Sequence, residues 1–306
     1  MRLTETPNRA SILAVDNTMT SRLNLTAGKF RCAIEPTLGA CIAGLWFDGQ
    51  PVLRSPDASA MATARQSGSY PLVPFSNRIG HATLSWNGTS HPLVKNFGAE
   101  PHAIHGVGWQ RPWEVLDASD SFAILSYEHK PDAAWPFAFD TSQAFRLSDH
   151  ELELSLSITN QSKSATPVGL GWHPWFVKRP QSRISFKAAG RWEMDADKLP
   201  TSRTPTQGME VEAALLDVDH CFDGWSGELH LRDALHHIRV SSTFNRLVVC
   251  TNTALDNIAI EPVSHVNNAL NLMARGVASA ETLGVRVLQP GESMSAEMTI
   301  RVDAAS

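Results

Sequence analysis

The segment from Glu151 to Asn160 alternates without a break: Leu152, Leu154, Leu156 and Ile158 are apolar, and the residues between them are polar. A strand turns successive side chains to opposite faces, so this run predicts a strand with one buried face and one wet face. Such a strand must find partners along its edges and a second layer to cover its apolar side. Shorter runs of the same kind recur at 122–127, 183–187, 229–231, 238–241, 246–250 and 295–302. Asn87-Gly88 and Asp48-Gly49 each separate two strand-like runs, and both dipeptides readily take the positive φ angles of a tight hairpin turn.

Helical spacing is scarce; only the stretches from Thr201 to Asp219 and from Asn268 to Gly276 are expected to hold a turn or two. Eighteen prolines and 19 glycines, evenly spread, suit many turns rather than long helices. No low-complexity linker divides the chain, and no repeat of fixed period marks the blades of a propeller. The expectation is all-β: one large antiparallel β-sandwich domain over residues 22–306, preceded by a poorly ordered extension over residues 1–21.

A chain of 306 residues with 42% hydrophobic side chains can build a core of that size. The formal charge of −5 comes with no basic stripe interleaved with aromatics, which argues against a nucleic-acid partner or an anionic membrane surface. The first twenty residues lack the apolar core of a secretory signal, and no apolar run approaches the length of a membrane span. Four cysteines form no CxxC and are too sparse for a disulfide scaffold, so they are expected to be reduced, in the cytoplasm.

Common catalytic signatures are missing: there is no GxxxxGK[ST], no HExxH and no GxSxG. None of the 12 histidines is set with acids at a recognisable ligand spacing, and adjacent His236 and His237 would face opposite sides of a strand, so no metal is expected. Four segments instead carry polar residues inside apolar, strand-like text: Pro71 to Gly80 with Asn77 and Arg78, Pro101 to Gly108 with His105, Val168 to Phe176 with His173, and Ile258 to Val263 with Glu261. A weaker fifth runs from Asp217 to Phe222 and contains Asp219. Burying such groups without partners costs several kcal/mol, so they are expected to meet one another or to line one cleft.

Together these segments resemble the aldose 1-epimerase, or galactose mutarotase-like, family. Asn77-Arg78 after the proline-led stretch, Ile104-His105-Gly106, His173-Pro174-Trp175-Phe176, Asp219-His220-Cys221-Phe222 and the late Glu261 match that family's elements in order. Residues 35–53 resemble its opening hairpin and residues 288–294 a closing one, so the resemblance spans roughly residues 22–303.

The resemblance implies the galactose mutarotase-like supersandwich and a cofactor-independent isomerase that interconverts the α and β anomers of a free hexose. Ring opening takes a proton from the C1 hydroxyl and gives one to the ring oxygen, which suits an imidazolium and a carboxylate on opposite sides of the hemiacetal. By the family's pattern Glu261 is the base and His173 the acid, with roles exchanged for the other anomer. Asn77, Arg78, His105 and Asp219 would hold the sugar, with one or two of Trp109, Trp172, Trp175 and Trp225 at the cleft. Val107 and Trp175 depart from the family's usual glycine and tyrosine.

A phosphorylated sugar calls for clustered cations, and only Arg78 and Arg111 lie close to motifs. Other readings are a sugar-sensing module without turnover, which has no need of a matched acid–base pair, and a glycosidase, which needs two carboxylates. The preferred monosaccharide and the oligomeric state stay open.

Overall fold

In the computed structural model the run Glu151–Asn160 is a strand, and its four alternating apolar side chains are buried. The structure describes residues 22–305; the extension expected over residues 1–21 lies outside the described residues. That strand pairs antiparallel with Phe139–Leu147 on one edge and Ser293–Ala304 on the other. It is central to a nine-stranded antiparallel sheet that runs from Glu114–Ala118 to Met209–Glu212.

A second sheet, of eight strands, faces the same core. Its spine is Val218–Asp223, Arg246–Thr251 and Asn257–Val263, all antiparallel, with Gly171–Trp172, Trp175–Val177 and Pro71–Leu72 at the far side. Apolar side chains of both sheets and of the elements around them, from Leu25 to Val302, form one continuous buried cluster. The Trp172 indole crosses between the layers to donate to Gln143 Oε1 at 3.0 Å. A four-stranded sheet, Leu23–Ala27 to Gln50–Pro51, supplies the opening hairpin, with Asp48 and Gly49 both at positive φ. Asn87 and Gly88 turn the hairpin Thr83–Trp86/Thr89–Pro92 in the same way.

One local expectation is corrected, and two are met. Residues 201–219 hold little helix: Pro200–Pro205 and Met209–Glu212 are strands at the sheet edges, and only Ala213–Leu215 makes a 3₁₀ turn. Flanking prolines and few apolar residues leave no face for a helix to bury there. Residues 288–294 do not form a closing hairpin, because Arg286–Leu288 pairs with Thr166–Val168 rather than with Ser293–Ala304. Helix does form at Ala269–Ala274, where it was expected, and also at Ala280–Leu283, where Ser279 caps the Thr282 N–H.

Candidate active site

The late strand Asn257–Val263 puts Glu261 beside Val248 of Arg246–Thr251, which in turn faces Cys221. Alternation then places Asp219, Cys250 and Glu261 on one face of the sheet. His173 follows the short strand Gly171–Trp172, which hydrogen-bonds the same late strand, and its Nε2 lies 3.3 Å from Glu261 Oε1. Both side chains are buried, and His173 Nδ1 and Glu261 Oε2 have no hydrogen-bond partner among the described residues.

Asn77 and His105 form a reciprocal clasp. The Asn77 N–H donates to His105 Nδ1 at 3.1 Å, and the His105 N–H donates to the Asn77 carbonyl at 2.9 Å. Both residues hold positive φ, 51° and 63°, a strained state for non-glycine residues that is typical of functional sites. Gly106 makes the approach possible: at φ +69° a Cβ there would come within 2.1 Å of the Val73 carbonyl oxygen. Val107 keeps a negative φ of −116°, as its side chain requires.

The late segment braces this clasp. His265 donates through Nδ1 to the Val266 carbonyl and accepts the Ser76 N–H, while Asn268 donates its N–H to the Arg78 carbonyl and accepts the Gly80 N–H. These residues act as struts.

Around the pair the walls are aromatic. The His173 ring stacks on Tyr70 and lies 5.0 Å from Trp175, and the His105 ring meets its edge at 5.1 Å. Of the four tryptophans near motifs, Trp175 is half-buried against His173, whereas Trp109, Trp172 and Trp225 are buried. Arg78 bonds Asn77 Oδ1 and sits 3.6 Å from Glu100, with its Nε buried and unpartnered. Asp219 is partly exposed and pairs with Lys198 at 2.9 Å. Of the neighbouring aspartates, Asp223 is engaged by Arg203 and the Trp192 indole, and Asp217 is exposed.

Burial sets the protonation of the site. It lowers the His173 imidazole to about 3 and lowers His105 well below its usual range. It raises Glu261 well above the carboxylate range, helped by the charge of Asp219 and opposed by Arg78. Burial thus favours the neutral form of each group, since a neutral pair needs no desolvated charges. The 3.3 Å contact sets the two groups side by side.

His105, His173 and Glu261 offer atoms within 4.8 Å of one another, close enough to hold an ion. His105 is the wrong tautomer for it. With Nδ1 accepting the Asn77 N–H, the neutral ring carries its proton on Nε2 and has no free lone pair, leaving fewer than three donors. The same tautomer makes His105 a hydrogen-bond donor to a ligand.

Sequence reading missed Tyr70, which stacks on His173, Arg54 and Arg65, whose charges act on it, Cys250, on the Glu261 face of the sheet, and Lys198, which pairs with Asp219. Tyr70 directly precedes the Pro71 segment, and Cys250 could have been found from the register of Arg246–Thr251 against the Glu261 strand; the others lie in text without pattern.

With this geometry in view, the comparisons are consistent. The aldose 1-epimerase family matches residues 21–301, and the chain belongs to it. The uncharacterized protein YphB of Escherichia coli K12 is 30% identical over 284 residues, which cover 87% of this chain and 93% of that protein. A crystal structure of a putative aldose 1-epimerase from Escherichia coli K12 is similar with a TM-score of 0.83 and 28% identity, covering 93% of this chain and 99% of that one. Galactose 1-epimerase from Lactobacillus acidophilus NCFM shares the fold, with a TM-score of 0.75 and 14% identity over 93% of this chain and 95% of that one.

Proposed function

We propose that the protein is a mutarotase, an aldose 1-epimerase that opens and recloses a hexose ring by acid–base catalysis at His173 and Glu261. The observation that carries this reading is the buried 3.3 Å contact between the two side chains, each with a second polar atom unpartnered. O1 and the ring oxygen are bonded to the same carbon, so two adjacent groups reach both from one side. Neutral His173 takes the O1 proton while the Glu261 carboxyl gives its proton to the ring oxygen, and the C1–O bond breaks to an aldehyde. After rotation about C1–C2 the ring recloses: imidazolium returns a proton to O1 and carboxylate removes one from the C5 hydroxyl. The pair ends in the proton state in which it began, and no cofactor enters.

Asn77, Arg78, His105 and Asp219 line the approach as hydroxyl partners, His105 as donor and Asp219 as acceptor. Four free thiols, three of them buried, suit a reducing cytosol.

The test is anomer exchange followed by polarimetry or exchange NMR on freshly dissolved α-hexoses. Glu261→Gln and His173→Asn should each lose roughly 10²–10⁴-fold in turnover. Near wild-type turnover in either variant removes the pair from the chemistry, and sugar binding without exchange in the wild-type protein makes it a sensor.

A further inference from the structure

The hairpin Gly190–Met194/Pro200–Pro205 reaches out from the sheet toward the cleft. Its first strand pairs with Val218–Asp223 only through Gly190, Arg191 and Trp192, and a shift of register between Glu193 and Met194 follows at once. The base is anchored, since Arg203 and the Trp192 indole both bond Asp223. The residues beyond it leave the ladder of the sheet. At the tip Asp195 closes the turn: its carbonyl accepts the Lys198 N–H, and its Oδ1 accepts the N–H groups of Asp197 and Leu199. That turn holds Lys198 at a φ of +61°, the left-handed region that few non-glycine residues enter.

The tip lands on two sides of the site. Lys198 Nζ lies 2.9 Å from Asp219 Oδ2, and His102 donates through Nε2 to the Asp197 carbonyl at 2.8 Å. Leu199 packs over Gly80, two residues past Arg78, and Met194 Sδ stands 4.0 Å from the Asn267 amide. An exposed Lys–Asp pair is by itself ordinary and contributes little to stability. Place sets this one apart. Asp219 shares its sheet face with Cys250 and Glu261, and its charge acts on Glu261. Among the described residues Asp219 Oδ1 accepts no hydrogen bond, and Lys198 makes no other, so the carboxylate keeps a free oxygen and the ammonium keeps two donors.

Resting on the acid–base reading above, we infer that Lys198 is a specificity-determining residue: with Asp219 it reads two hydroxyls on adjacent carbons of the aldose. Gauche hydroxyls on neighbouring ring carbons stand about as far apart as the two partners of this ion pair, so a diol can lie side-on to it. One hydroxyl donates to Asp219 Oδ1 while the other accepts from Lys198 Nζ, and both bonds are strengthened by the charge on the protein side. The pair is neutral as a whole, so it selects for the position of hydroxyls rather than for a charged sugar. The aldose it fits carries an unblocked vicinal diol, and the hairpin tip supplies half of the grip. Residues 195–199 show no apolar period and lie outside every motif, which is why the sequence did not point to them.

The experiment measures binding by calorimetry and anomer exchange by NMR with wild-type protein, Lys198→Met and Lys198→Arg. The sugars are glucose and galactose, their 2-deoxy and 3-deoxy analogues, and the 4-deoxy sugar that the two share. Lys198 is exposed, and methionine keeps most of its apolar stem, so the variant should fold. In the wild-type protein, loss of either hydroxyl of the diol should weaken binding and kcat/KM roughly 10-fold or more. Lys198→Met should erase that penalty at one of the two positions, and Lys198→Arg, which keeps a charged donor, should retain it. A role in folding alone would weaken every sugar by the same factor. Deoxy penalties in binding that depend on Lys198, in a wild-type protein without anomer exchange, would sustain this inference and sink the epimerase reading. Exchange in which Lys198→Met leaves every penalty as it was, or weakens all sugars alike, would overturn it and leave that reading standing.

Discussion

The His173 imidazole lies nearly parallel to the Tyr70 ring, centroids 4.7 Å apart at 27°, while the His173 N–H donates to the Tyr70 carbonyl at 3.0 Å. Tyr70 thus fixes both the ring and the backbone of the proposed acid–base group. Packing does this work because His173 Nδ1 has no hydrogen-bond anchor, unlike His102 and His265, whose two nitrogens are both engaged. Tyr70→Phe should keep turnover near wild type. Tyr70→Leu should lower kcat about 3- to 10-fold, the worth of an aromatic pair, with little change in KM. Unchanged kcat in the leucine variant would mean that the imidazole is oriented by other contacts.

Glu261 should trade stability for activity. Its carboxyl is buried, one oxygen is unpartnered, and burial holds its folded pKa above the unfolded value of 4.5. The unfolded state then loses its proton first, so the stability that this group contributes is present below 4.5 and drains away as pH rises toward the folded value. Glu261→Gln keeps the shape without that burden. Its unfolding free energy should match wild type near pH 4.5 and exceed it at pH 8 by about 1–3 kcal/mol, with a correspondingly higher melting temperature. A lower melting temperature at pH 8 would show that the carboxylate is stabilised in the fold.

The histidines set the acid limit of the fold. Burial lowers His173 to about 3 and His265 to about 4, from 6.5. Between 6.5 and those values the unfolded rings hold protons that the native rings refuse, so stability falls as pH falls. The slope is about 1.4 kcal/mol per pH unit for each ring, or roughly 4 kcal/mol for both between pH 6.5 and 5. Urea midpoints across that range should show it, and His265→Gln should flatten the dependence by about half. A midpoint indifferent to pH would place charged imidazoles in the native core.

The strands and the chemistry were legible where the pattern was local. Leu152 to Ile158 announce a buried face in four residues, Asn87-Gly88 and Asp48-Gly49 announce their turns, and His173 and Glu261 stand out as polar groups in apolar text. Distance was not legible: sequence suggests that an imidazole and a carboxyl share a cleft but not that they touch, nor that burial favours the neutral form of each. Arg54 and Arg65 were also hidden, because backbone carbonyls and ring faces hold them, and neither leaves a spacing to read. The pairing of Arg286–Leu288 with Thr166–Val168 was invisible for a related reason, since three residues are too few to show a period.

Gly106 should be irreplaceable although it touches no substrate. Any Cβ at its φ of +69° would collide with the Val73 carbonyl, which accepts the N–H groups of Val107 and Gly108. Relief requires moving the turn that carries His105. Gly106→Ala should cost about 2 kcal/mol or more in stability and lower kcat/KM, whereas Gly88→Ala, in an open hairpin turn with nothing within 4 Å, should cost less and leave kcat/KM intact. Equal effects of the two substitutions would show that the His105 turn is free to shift.

Asp219 ties the rim of the cleft to the proton on Glu261. Its carboxylate is the second cause, after burial, of the raised Glu261 pKa, and it lies on the same sheet face, opposite Cys250. If the active form holds Glu261 protonated, activity must fall as pH rises through that pKa. Asp219→Asn removes the repelling charge, leaves Lys198 unpaired and lets Glu261 ionise more readily. The alkaline limb of kcat/KM should then move to lower pH. KM should also rise, because an acceptor for the sugar hydroxyls becomes partly a donor. An alkaline limb that stayed in place would show that Glu261 does not govern it; a limb that moved with KM unchanged would keep Asp219 as an electrostatic neighbour and remove it from the sugar's grip.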